Sequence, residues 1–164
     1  MALPLSLERY LIKTGIRYGV IIHRPTKYSI ATAHAACVPA GRLAKSVVLR
    51  DEQGYLIAVV PASHRLRLGW LHVQLRRELG LATESELTAL FIDCELGAIP
   101  PLGPLYGLDV IVDDVLSEQP EIYFEGGDHR ELIKVAGADF DRLLPNAMHG
   151  RISCLNAEET AVLH

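Results

Sequence analysis

Cysteine is scarce in this chain. Its 164 residues include Cys37, Cys94 and Cys154, an odd and widely spaced set with no C-x-x-C pair. That spacing excludes a zinc knuckle or a thioredoxin-type motif and leads us to expect a reduced, cytoplasmic protein. No apolar run approaches the about 20 residues of a membrane span. The opening "MALPLSLERY" lacks the basic start and apolar stretch of a signal peptide, so we expect no membrane partner. Also missing are a G-x-S-x-G elbow, a Walker A loop and an H-E-x-x-H pair.

What is present suits one folded unit. Hydrophobic residues make up 49% and charged residues 22%, enough for a full-sized core. We expect a single domain over 1–164, with a core from about 5 to 144 and a tail over 145–164. The net charge of −4 hides an uneven spread. Residues 1–80 hold 12 Lys/Arg against 4 Asp/Glu, and residues 81–164 hold 4 against 16. Such asymmetry can place a basic face on an acidic protein. His64, Arg65, Arg67, Arg76 and Arg77 are candidates for phosphate contacts. A solvated helix face is the competing reading.

Local signals divide the chain. Ser6 is a candidate cap for a first helix that Gly15 ends, and Ser29 for an Ala-rich helix. "YGVIIH" reads as a strand. Ala44–Arg50 and "YLIAVVP", joined by "DEQG", read as a hairpin. The second half of "SHRLRLGWLHVQLRRELG" reads as a helix ended by Gly80. Thr83 and Glu86 form a capping box. "LDVIVDD", "EIYFEGG" and "RELIKV" read as strands and "GADFDRLL" as a closing helix. The tail after Pro145 carries weak signals. Strands grouped between helices predict an α+β fold with a mixed sheet rather than a Rossmann fold.

Three features could converge. Lys45 alternates with Val47 and Leu49 on one strand face, where an ammonium is costly unless it is paired, hydrated or used. The loop "GAIPPLG", Gly97 to Gly103, is stiffened by Pro100 and Pro101, and its glycines permit close approach. It could present the N–H groups of Gly97, Ala98 or Gly103 to a carbonyl or phosphate oxygen. "GGDH" could set Gly126 and Gly127 as a wall with Asp128 and His129 at a site mouth, or be a plain turn. His34 is a further candidate for substrate binding, against a packed or solvent-facing histidine. His34 and Cys37, one helical turn apart, do not make a metal site. Cys94 has no evident His partner, and a buried, inert thiol is the preferred reading.

"RLAKSVVL", "GAIPPLG" and "IYFEGGDHRELIKVAGADF", in that order, resemble the YbaK/ProX family of aminoacyl-tRNA deacylases and prolyl-tRNA synthetase editing domains. The likeness runs from about the first helix to Leu144. It implies a mixed, partly barrel-like sheet with flanking helices, and hydrolysis of the ester joining a wrong amino acid to the tRNA 3′ adenosine. It implies a catalytic role for Lys45, Gly97 and Ala98. It implies substrate contacts from Ile99, Pro100, Gly103, Gly126 and Gly127, while family members vary where His129 stands; Asp128, His129 and His34 remain candidate substrate contacts from the residues themselves. The Ala-specific branch has Lys-Asn where this chain has Lys45-Ser46. "PPLG" and "GG" are nearer the Cys-specific branch, whose substrate thiol attacks its own ester. The implied partner is the aminoacylated 3′ end of tRNA, with an aminoacyl-tRNA synthetase as a second. No cofactor or metal is implied, and a monomer is expected. The competing reading is a non-catalytic binding or regulatory module of the same fold.

Overall fold

The computed structural model describes residues 3–156; the last eight residues of the expected tail lie outside that range. The chain runs α1 (Leu5–Thr14), β1 (Tyr18–Ile22), α2 (Ser29–Ala36), β2 (Leu43–Asp51), β3 (Gly54–Pro61) and β4 (His64–Leu66). It continues α3 (Leu68–Leu75), β5 (Gly80–Leu81), α4 (Glu84–Leu90), β6 (Asp109–Asp113), α5 (Asp114–Ser117) and β7 (Glu121–Glu125). It closes with β8 (Glu131–Ala136), α6 (Gly137–Leu143), β9 (Met148–Gly150) and β10 (Ser153–Leu155). None of the described helices is long and apolar enough to cross a membrane.

Local chemistry explains most of these limits. Gly15 ends α1 in the left-handed conformation at φ 70°. The cap itself is Pro4, not Ser6, whose hydroxyl donates to Asp93 instead. Ser29 likewise is the first helical residue of α2, with Tyr28 at the cap. Thr83 and Glu86 do form the reciprocal capping box at α4. Helix α3 stops at Leu75, four residues before the sequence suggests, because Arg76 turns left-handed at φ 54°. Arg77 therefore leaves the helix and makes a two-pronged bond to Asp51 at 2.7 Å.

The architecture is α+β. A mixed sheet runs β1-β8-β7-β2-β3-β6-β9, with β5 added to β2. The β2–β3 hairpin is antiparallel from Ala44↔Pro61 to Asp51↔Gly54. The β2–β7, β3–β6 and β6–β9 pairs are parallel. The tail does contain strands. β9 extends the sheet, and β10 pairs with β4 as a separate ribbon. Buried Asp113 fixes this return by accepting from the Ile152 amide at 3.0 Å and the Ser153 hydroxyl at 2.8 Å.

Alternation along β2 divides the core. Ala44 and Val48 face a large cluster with Leu7, Leu11, Phe124 and Phe140. The other face carries two smaller clusters. One gathers Leu43, Tyr123 and Leu132 beneath Ala33 of α2. The second gathers Leu49, Leu56 and Val60 beneath Leu71 of α3. Lys45 lies between Leu43 and Val47, in the seam between those two coverings.

Candidate functional site

The seam opens because β2 parts from β7 early. Their ladder holds only two pairs, Leu43↔Tyr123 and Ala44↔Phe124. Beyond it, Lys45 and Ser46 both reach a cleft of about 300 Å³. Lys27, Tyr28, Ser29 and Ile30 form one wall, at the start of α2, and Ala62, Gly97 and Asn156 complete the lining. The lysine on an apolar strand face thus looks into a cleft rather than a dry core. Its Nζ donates to the His64 carbonyl at 3.3 Å. Burial lowers its pKa, since desolvation penalises the ammonium. His64, whose Nδ1 meets the Ser63 hydroxyl, is also pushed down, by burial first and then by the Lys45 charge, with Asp113 opposing.

The 97–103 loop meets this cleft at one end only. Gly97 has φ +83°, a region side chains rarely adopt, and a Cβ there would lie 3.1 Å from His129. Ser46 anchors the next part, its hydroxyl donating to the Ile99 carbonyl at 2.9 Å. Ala98 is fully buried and spends its N–H on the Glu95 carbonyl at 3.1 Å. It cannot also donate to a substrate oxygen in this arrangement. The side chains of Ile99 and Pro100 are turned into the interior. Gly103 is a packing glycine: a Cβ would stand 2.4 Å from both the Leu108 carbonyl oxygen and Val110.

The "GGDH" segment is a turn that braces the loop. The Glu95 amide donates to the Gly127 carbonyl at 2.8 Å, and the His129 ring donates to the Leu96 carbonyl. Gly126 and Gly127 do permit close approach, but to the chain's own Leu3 and Pro4, where a Cβ would come within 2.7 Å. Asp128 is buried and accepts from the Arg130 and Glu131 amides, so it shapes the turn rather than a site mouth. His129 backs Gly97 from behind. His34 is exposed on α2 and is not among the cleft residues. Cys94 has its thiol pushed up to about 12 by burial, while the Tyr106 hydroxyl 3.3 Å away opposes that rise. Cys94 is only partly buried, where the sequence reading expects a buried thiol.

The structure therefore brings together Lys45 and Gly97, with His129 in support. Ser46, the Lys27–Ile30 wall and Asn156 were missed as site residues. Ser46 had a signal in its place beside Lys45. The α2 wall and Asn156 had none, because only the fold carries them to β2. This arrangement sets a cation and a left-handed backbone turn on one cleft.

The model of the aminoacyl-tRNA editing domain matches residues 23–143. No curated protein matches the chain. Among solved structures, a candidate trans-editing enzyme for prolyl tRNA synthetase is 25% identical with a TM-score of 0.79, over 93% of this chain and 99% of that one. The hypothetical protein APE2540 is 20% identical with a TM-score of 0.80, over 91% and 99%. A protein assigned to signal transduction from Marinobacter aquaeolei VT8 is 22% identical with a TM-score of 0.77, over 93% of this chain but 31% of that one. The last two likenesses show the fold alone.

Proposed function

The chain belongs to the aminoacyl-tRNA editing domain family, and on that basis we propose that it is a deacylase acting in trans on mischarged tRNA. Its acyl group is a small amino acid such as Cys, Ala or Ser. The observation that carries this reading is the shared cleft of Lys45 and Gly97, with Ser46 tying the loop to β2.

The chemistry asks little of the protein. An aminoacyl ester is already activated. Water attacks the carbonyl carbon, the bond to the ribose oxygen breaks, and the amino acid leaves as a carboxylate while the tRNA regains its 3′-terminal hydroxyl. A cysteinyl substrate can instead attack its own ester carbonyl with its thiol, which closes a thiolactone as the same bond to the ribose oxygen breaks and that oxygen takes up the thiol's proton. Either path builds negative charge on the carbonyl oxygen. A backbone donor aimed at that oxygen is worth about 3 kcal/mol. Gly97 is the loop residue placed for this role, since Ala98 is already engaged. Lys45 holds a ribose or terminal phosphate oxygen, or adds positive potential at the oxyanion. His129 keeps the Gly97 turn in shape through Leu96. The synthetase named for the solved relative suggests tRNAPro and prolyl-tRNA synthetase as partners.

The test is a deacylation screen against a panel of tRNAs mischarged with Cys, Ala, Ser and larger amino acids. Hydrolysis confined to small acyl groups is expected. No hydrolysis of any member overturns the reading in favour of a binding module.

A further inference from the structure

Residues 61–77 and 145–156 contain no Asp or Glu, in a chain that has 20. They carry Arg65, Arg67 and Arg151, and the fold brings them to one corner. β10 pairs with β4, from Ser153↔Leu66 to Leu155↔His64. The Arg67 amide donates to the Ile152 carbonyl at 2.8 Å. The guanidinium carbons of Arg67 and Arg151 then lie 5.2 and 5.1 Å from the centroid of the Trp70 ring.

This corner is built, not incidental. Buried Asp113 anchors Ile152 and Ser153, and the Gln74 amide donates to the Arg151 carbonyl at 2.6 Å. Arg151 is thereby fixed through its backbone from two sides while its charge stays at the surface. Trp70, Val73, Gln74 and Arg151 line an open, mostly apolar cleft of about 290 Å³, and Val73 is 78% exposed. Two cations sharing one ring repel each other unless an anion joins them. The ion pairs among the described residues tie up Arg50, Arg77, Lys134 and Arg142, but neither Arg67 nor Arg151.

The corner is also continuous with the Lys45 cleft. The carbonyl that accepts from Lys45 belongs to His64, the first residue of β4. From there to Arg67 the extended chain covers about 10 Å. Asn156, just past β10, lines the Lys45 cleft itself. The β4–β10 ribbon therefore begins at the edge of the Lys45 cleft.

We propose that the Arg67–Trp70–Arg151 corner holds the single-stranded 3′ end of the tRNA, an inference that rests on the deacylase reading above. The two guanidiniums take successive phosphates, and Trp70 with Val73 gives the apolar wall for a base or ribose. The basic run seen in the sequence is thereby divided. Arg65 and Arg67 belong to this surface. Arg77 is bound to Asp51, and Arg76 lies beside Asp51, Glu52 and Glu78.

The test uses the full chain and an uncharged RNA hairpin bearing an acceptor stem with its 3′ overhang. Binding is followed by fluorescence anisotropy across a salt series. Arg67→Gln with Arg151→Gln should weaken binding about tenfold and flatten the log–log salt slope by about 1.4, at about 0.7 per single-strand phosphate contact. The matching Arg→Lys pair should restore most of the slope, which a purely structural role would not do. Arg65→Glu, exposed on the same ribbon, should also weaken binding and serves should the double variant unfold. Parent affinity and slope in the folded variants overturn the proposal, as does equal binding of a blunt hairpin. Hydrolysis of an aminoacyl ester of adenosine separates the two readings. The corner variants should match the parent on it. A parent that binds the hairpin through this corner yet hydrolyses no ester sinks the deacylase reading and leaves the RNA surface standing.

Discussion

Lys45 and Glu125 are the next residues after the last paired position of β2 and β7, Ala44↔Phe124. Alternation puts both on the face covered by α2, and burial pushes both toward their neutral forms. Their surroundings then diverge. Lys45 has a lowered pKa, a carbonyl acceptor and an open cleft. Glu125 is closed in beneath Thr32, and its Oε2 has no hydrogen-bond partner among the described residues. Its pKa is pushed up to about 8, by burial first and then by the Asp128 carboxylate, with the Thr32 hydroxyl opposing. What lies over a strand, rather than the place on the strand, decides whether an ionisable group can meet a substrate.

The hardest test of that contrast removes the charge on the open side. Lys45→Ala should lower single-turnover deacylation at least tenfold and leave the melting temperature nearly unchanged. Parent turnover in this variant would make Lys45 as structural as Glu125. Next in size is Gly97→Val, on the far wall of the same cleft. Its branched Cβ meets both the left-handed φ and His129. Turnover should fall several-fold, while the melt registers only about 1–2 kcal/mol of backbone strain. A variant that hydrolyses at the parent rate would reduce the loop to a connector.

On the closed side, Glu125→Gln should act on stability and not on turnover. The folded chain keeps a proton on Glu125 up to about pH 8, whereas an unfolded glutamate loses it near pH 4.3, so parent stability falls as pH rises through that window and levels off above it. The glutamine variant lacks this slope. The two should melt together near pH 4, and the variant should melt about 10 °C higher at pH 8. Parallel melting curves would show that Glu125 has a partner that offsets its burial. The smallest effect is expected at Arg76→Gly, outside both environments. Relief of the left-handed φ at 54° should add about 0.5–1 kcal/mol to unfolding. A destabilised variant would mean that the Arg76 side chain holds the end of α3.

How far each feature was legible follows the distance over which its cause acts. The β2–β3 hairpin, the Gly15 stop and the Thr83–Glu86 box rest on residues a few positions apart, and all three stand. The strands β9 and β10 are three residues each, too short for a periodic signal. They form because β6 and β4 offer edges to them. The end of α3 was misread because Leu79 continues the apolar pattern into the second cluster, while Asp51 draws Arg77 off the helix from 26 positions away.

The loop glycines show the same division. Gly97 and Gly103 look equivalent in "GAIPPLG". One turns left-handed at a cleft, and the other gives way to the Leu108 carbonyl in the interior. The sequence by itself determined the family, the α+β class and the anomaly of a lysine on an apolar face, because periodicity, caps and motif order are local properties of the chain. Only the tertiary structure decided that Lys45 is open and Glu125 closed, that Gly126 and Gly127 face Leu3 and Pro4, and that Arg67 and Arg151 share one ring. Each of these depends on which distant segment fills the space above a residue, and packing settles that only when the whole sheet is assembled.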